Sequence, residues 1–102
     1  MHMKNSLQQV QVLFHNRAGE VMQTLYSQFR YAITPIDRQW EENVFQQQYG
    51  KFTSLLKQRL DGIMLELMAQ LDTDAERNEW NQAGSRFVQD YLREFSQKIK
   101  GL

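Results

Sequence analysis

From Thr34 to Leu71 apolar residues return every three or four positions: Ile36, Trp40, Val44/Phe45, Tyr49, Phe52, Leu55/Leu56, Leu60, Ile63/Met64, Leu67/Met68 and Leu71. That is the period of a helix face, not the alternation of a strand. Thr34-Pro35-Ile36-Asp37 opens the stretch. Thr34 can cap, Pro35 suits the first helical position because its missing N–H has no partner there anyway, and Asp37 sits near the positive dipole end. Gly50 and Gly62 lie inside, but the stripe keeps phase through Phe45, Tyr49, Phe52 and Leu56. A helix over 35–71 is expected, continuous or kinked near Gly50.

Two further helices flank it. Residues 6–33 carry Leu7, Val10, Phe14, Ala18, Val21/Met22, Leu25/Tyr26, Phe29 and Ala32/Ile33 on one face, with Ser6 as a cap. Gly19 inside that helix costs about 1 kcal/mol against Ala. Residues 74–100 carry Trp80, Ala83/Gly84, Phe87/Val88, Tyr91/Leu92, Phe95 and Ile99. Thr73 and Glu76 have the spacing of a capping box, Lys98 and Lys100 suit the negative end, and Gly101 follows as a stop. The fold class expected is all-α: an antiparallel bundle of three long helices (about 6–33, 35–71 and 74–100), the middle one longest.

Length and composition agree. A chain of 102 residues with 41% hydrophobic residues and a single proline is one domain made of few, long elements. Met1-His2-Met3 reads as a cloning remnant, so residues 1–4 form a disordered start and 5–102 the domain; a native leader or membrane anchor is then free to have been trimmed. The 12 bases balance 12 acids, so the total signals no basic face for nucleic acid. No cysteine is present, which removes disulfides and thiolate metal sites. No apolar run reaches the roughly 18–20 residues of a membrane span. The compartment stays open, with a cytoplasmic setting slightly favoured over an extracytoplasmic one.

Folding the chain at Thr34 and Thr73 makes two expectations about register. Ala18 falls level with Gly50, and Gly62 with Gly84, so that small residues meet at both seams. Residue 62 falls opposite about residue 6, leaving the end of the middle helix beyond its first neighbour. Leu60, Ile63, Met64, Leu67, Met68 and Leu71 then form surplus apolar surface, the expected site of self-association or of a partner helix.

Chemistry is weakly signalled. His15-Asn16-Arg17-Ala18-Gly19, a histidine four residues before a glycine on a bundle helix, resembles histidine-phosphotransfer domains over those five residues. The resemblance implies phosphoryl transfer through His15, yet family members usually place lysine where this chain has Ala18. Glu41-Glu42 and Glu76/Glu79 have no histidine in register for a di-metal site, and read as solvated faces. Lys51, Lys57 and Arg59, without an acid between Asn43 and Leu60, read the same way. Arg38 beside Trp40, and Arg59 among leucines, are placed to lay their stems on apolar surface. Trp40, Tyr49, Trp80 and Tyr91 suit a core better than a ligand pocket. The sequence therefore reads as a non-enzymatic interaction module (adaptor, assembly or chaperone-like), without cofactor and homo-oligomeric. A ligand-sensing domain excised from a membrane receptor is the alternative, and histidine phosphotransfer a remote one.

Overall fold

The computed structural model describes residues 6–33 and 42–101. They form three helices, α1 (Leu7–Ile33), α2 (Glu42–Met68) and α3 (Asp74–Lys100), each of 27 residues, packed as an all-α bundle. The expected opening of the middle helix, Thr34-Pro35-Ile36-Asp37, lies outside the described residues, as do Arg38, Trp40, Glu41 and residues 1–4.

The helix ends are set by local chemistry. At α1, Ser6 and Gln9 bond reciprocally: the Gln9 amide donates to Ser6 Oγ at 3.2 Å, and the Ser6 amide to Gln9 Oε1 at 2.8 Å. This is a complete capping box, where the spacing pointed to a cap at Ser6 alone. Thr73 accepts from the Glu76 amide at 3.1 Å, as its spacing promised, and Arg77 braces the turn through Asp74 at 2.7 Å. The helix α2 runs unbroken through Gly50 but stops at Met68, three residues before the expected Leu71. Its last carbonyls close in tight i→i+3 bonds from Gln70 to Leu67 and from Leu71 to Met68. Within the described residues the middle helix is no longer than its neighbours.

Side-chain pairs fix the layout. Arg17 meets Glu66, and Phe29 lies edge-on to Phe45 and Phe52 with centroids 5.6 and 5.7 Å away, so α1 and α2 are antiparallel. Trp80 Nε1 donates to the Met64 carbonyl at 2.9 Å and Tyr49 bonds Ser96 at 2.5 Å, so α3 is antiparallel to α2. The helices α1 and α3 are parallel, Phe14 meeting Trp80 and, further along, Tyr26 meeting Lys98. The start of α1 and the end of α3 consequently lie at opposite ends of the bundle.

These pairs correct the α1–α2 register. Arg17 stands beside Glu66, so Ala18 is nowhere near level with Gly50, and the first half of α1 accompanies the second half of α2. The α2–α3 level is as expected, but the facing is not. A Cβ on Gly62 would meet nothing within 4 Å, whereas one on Gly84 would lie 2.7 Å from both Met64 Cγ and Sδ. Gly84 makes room for Met64; Gly62 looks outward.

The core is wholly apolar: among the described residues no polar or charged side chain is buried. Val10, Phe14, Leu25, Phe29, Leu56, Trp80, Phe95 and Ile99 are among its fully enclosed members. One polar atom is misplaced: the Oγ1 of Thr53, in a half-buried residue, is enclosed without a hydrogen-bond partner.

Three stability measurements check this packing. Gly62→Ala should raise stability to urea by about 1 kcal/mol, since helix propensity improves and nothing is displaced. Gly84→Ala should lower it by about 1 kcal/mol, because overpacking Met64 outweighs the propensity gain. Thr53→Val should stabilise by about 1 kcal/mol, by replacing an unpaired buried hydroxyl with a methyl of the same shape; an unchanged or lower denaturation midpoint would show that the hydroxyl has a partner.

Candidate interaction surfaces

The six side chains expected to form a contact surface are, with one exception, enclosed by their own chain. Leu60 and Leu71 are 0% exposed, Leu67 is 1%, and Ile63 and Met64 are buried. Met68 is partly buried against the same core. The expectation that they stand uncovered is therefore corrected. It rested on α1 having ended before this level, whereas the observed register sets Val10, Phe14 and Ala18 beside them, with Trp80 from α3 closing the other side.

The opposite face of the same stretch is different. Leu65 is 60% exposed and Gly62 is bare, three residues apart and thus neighbours on the outer surface of α2. Between α1 and α2 runs an open groove of about 480 Å³, lined by Arg17, Glu20, Val21, Arg59, Gly62, Ile63 and Glu66. Val21 and Ile63 are its apolar members, while Arg17 and Glu66 pair across it. Arg59 and Glu20 carry opposite charges with no ion pair to another described residue. Leu13, one turn before Arg17, and Val12 add exposed apolar surface at the start of α1. Leu65 is the one large apolar residue of the stretch 60–71 that the three-and-four spacing of Leu60, Ile63/Met64, Leu67/Met68 and Leu71 leaves off the inward face.

A second concavity lies on the α1–α3 seam. His15, exposed on α1, has Nδ1 2.8 Å from the Tyr91 hydroxyl. Its ring stands 4.6 Å from that of Phe87. With Asp90 and Glu94 these residues surround a recess of about 250 Å³. Tyr91 titrates above the ordinary tyrosine value, first because burial penalises the phenolate and second because the Glu94 carboxylate repels it. Neither lysine nor arginine lines the recess. The place that a phosphotransfer lysine would hold is Ala18, which is buried.

Of the other aromatic candidates, Trp80 is fully enclosed and Tyr49 is tied to Ser96, so both serve the core, whereas Tyr91 reaches the surface recess. The described residues include no group of three His, Cys, Asp or Glu side chains able to hold a metal ion, and no helix long and apolar enough to cross a membrane. No protein-family model, curated protein or solved structure matches the chain.

The titration of Tyr91 gives a direct check on the recess. A folded-state value above the unfolded one favours the neutral phenol, so its contribution to stability is complete below pH about 10 and is lost as pH rises through the folded value. Followed by phenolate absorbance, Glu94→Gln should move the Tyr91 transition downward while leaving it above that of an exposed tyrosine, since burial is the larger cause. An unmoved transition would remove Glu94 from its vicinity.

Proposed function

We propose that this protein is a non-enzymatic helical interaction module that associates with a second copy of itself through the outer α1–α2 face. The observation that carries the reading is that bare Gly62 lines one groove with Arg59 and Glu20, opposite charges that form no ion pair with another described residue, while exposed Leu65 stands beside that groove on the outer surface of α2. A two-fold contact sets the same patch against itself, so it requires self-complementary charge. With Arg59 of one copy facing Glu20 of the other, the patch meets that requirement, and the absent Cβ at Gly62 lets the backbones approach. The stretch 60–71 thus remains the contact element, through the face turned away from its own core.

Burial of Leu65 contributes about 1.5–3 kcal/mol and each rim ion pair less than about 1 kcal/mol, so the association is weak and reversible. Adaptor or assembly roles accord with such a contact. The alternative of a ligand-sensing bundle draws its support from the recess at His15. Histidine phosphotransfer is disfavoured by the same recess, where Asp90 and Glu94 repel an incoming phosphate and neither lysine nor arginine is among the lining residues.

Sedimentation equilibrium tests the proposal. The weight-average mass should climb from monomer toward dimer as the concentration approaches about 1 mM. Leu65→Glu should abolish the climb without altering the helical content, and Gly62→Ala should weaken association while stabilising the fold. Arg59→Glu should weaken it too, and adding Glu20→Arg in the same chain should restore it. A chain that stays monomeric throughout, or a Leu65→Glu variant that associates like the parent, would overturn the reading.

A further inference from the structure

We infer that the recess on the α1–α3 seam binds an organic ammonium group, seated on the Phe87 and Tyr91 rings and held by the Asp90 and Glu94 carboxylates. Aromatic faces attract cations through their quadrupole, and acids at the rim supply the long-range pull. Both are present here: Phe87, Asp90, Tyr91 and Glu94 recur at steps of three and four along α3, which places two rings and two carboxylates on one strip of that helix. His15 closes the α1 side and, through its bond to the Tyr91 hydroxyl, holds that ring in place.

A second observation comes from the same seam. Further along it the chain covers an aromatic ring with its own cations: Lys98 Nζ lies 5.4 Å from the centre of the Tyr26 ring, and the Arg30 guanidinium 5.9 Å. At Phe87 and Tyr91 no described cation does so, and Glu94 forms no ion pair with another described residue. Asp90 has only the exposed Arg93, at 3.5 Å. The seam is therefore self-satisfied at Tyr26 and unfilled at Phe87–Tyr91. A recess of about 250 Å³ suits one alkylammonium head and its stem, whether a free amine or a lysine side chain. This site lies on a different helix pair from the proposed self-association face and stands independently of it.

The test is an NMR titration of the labelled protein, at constant ionic strength, with n-butylammonium, with N-acetyl-lysine methylamide, and with 1-butanol as the neutral analogue. Saturable shifts of the His15, Phe87 and Tyr91 ring resonances with both cations, and none with the alcohol, are expected. Asp90→Asn and Glu94→Gln should each weaken binding about threefold, and Phe87→Leu by a similar factor. The two carboxylate variants lie on the surface and keep the test meaningful if Phe87→Leu fails to fold. Equal affinity for the two cations identifies the amine alone as the ligand; tighter binding of the lysine derivative identifies a polypeptide side chain. Shifts of equal size with 1-butanol, unaltered binding in both carboxylate variants, or no saturation by about 50 mM of either cation would overturn the inference.

Discussion

The bundle depends on one knot between α2 and α3. Trp80 donates its indole N–H to the Met64 carbonyl, and Gly84, one turn on, leaves the space that the Met64 side chain occupies. A buried indole needs a partner, and a main-chain carbonyl at a fixed height supplies one only in a single axial position. Apart from the part-buried Tyr49–Ser96 bond and the Thr53 hydroxyl, the surrounding core is apolar and so nearly indifferent to sliding. The indole also carries Phe14 against its edge, 5.4 Å between centres, which draws α1 into the same level. The Trp80–Met64 bond, with Tyr49–Ser96 further along, sets the height of α3 on α2, and Phe14 against Trp80 brings α1 to the same level.

The consequences reach both surfaces. With Phe14 held at the height of Trp80, the first half of α1 covers the second half of α2, and Leu60, Leu67 and Leu71 are sealed inside. The same placement puts His15, the next residue, at the seam with α3, where Phe87 and Tyr91 meet it. It also brings Arg17 to Glu66 and opens the groove in which Arg59 and Glu20 pair with no other described residue. The two candidate binding surfaces are thus opposite flanks of α1, both fixed by the anchoring of a single aromatic ring.

This also explains what could and could not be seen in the residues alone. Helix number and the inward faces followed from spacing, and the Thr73–Glu76 turn from its chemistry, because these are properties of neighbours in sequence. The α2–α3 level followed as well, since a short turn about Thr73 leaves little freedom. The α1–α2 offset did not follow: periodicity states which side of a helix turns inward, never how far one helix is displaced along another. Counting from Thr34 displaced α1 by several turns and made enclosed leucines look bare. The role of Leu65 was legible only in part: the spacing leaves it off the inward face, but which surface it joins depends on the α1–α2 offset. The recess at His15 joins residues 76 positions apart, a pairing that no local pattern encodes.

An odd number of helices has a mechanical corollary. Because α1 and α3 point the same way, a tether at Ser6 and another at Gly101 emerge from opposite poles, about 40 Å apart for helices of 27 residues. Tension between them drags α1 and α3 lengthwise in contrary directions, so resistance is distributed over whole seams and does not depend on unzipping one contact at a time. Anything joined at the two poles would be kept at a set distance by a stiff strut, a property that an even-numbered hairpin bundle, with both tethers at one pole, does not have.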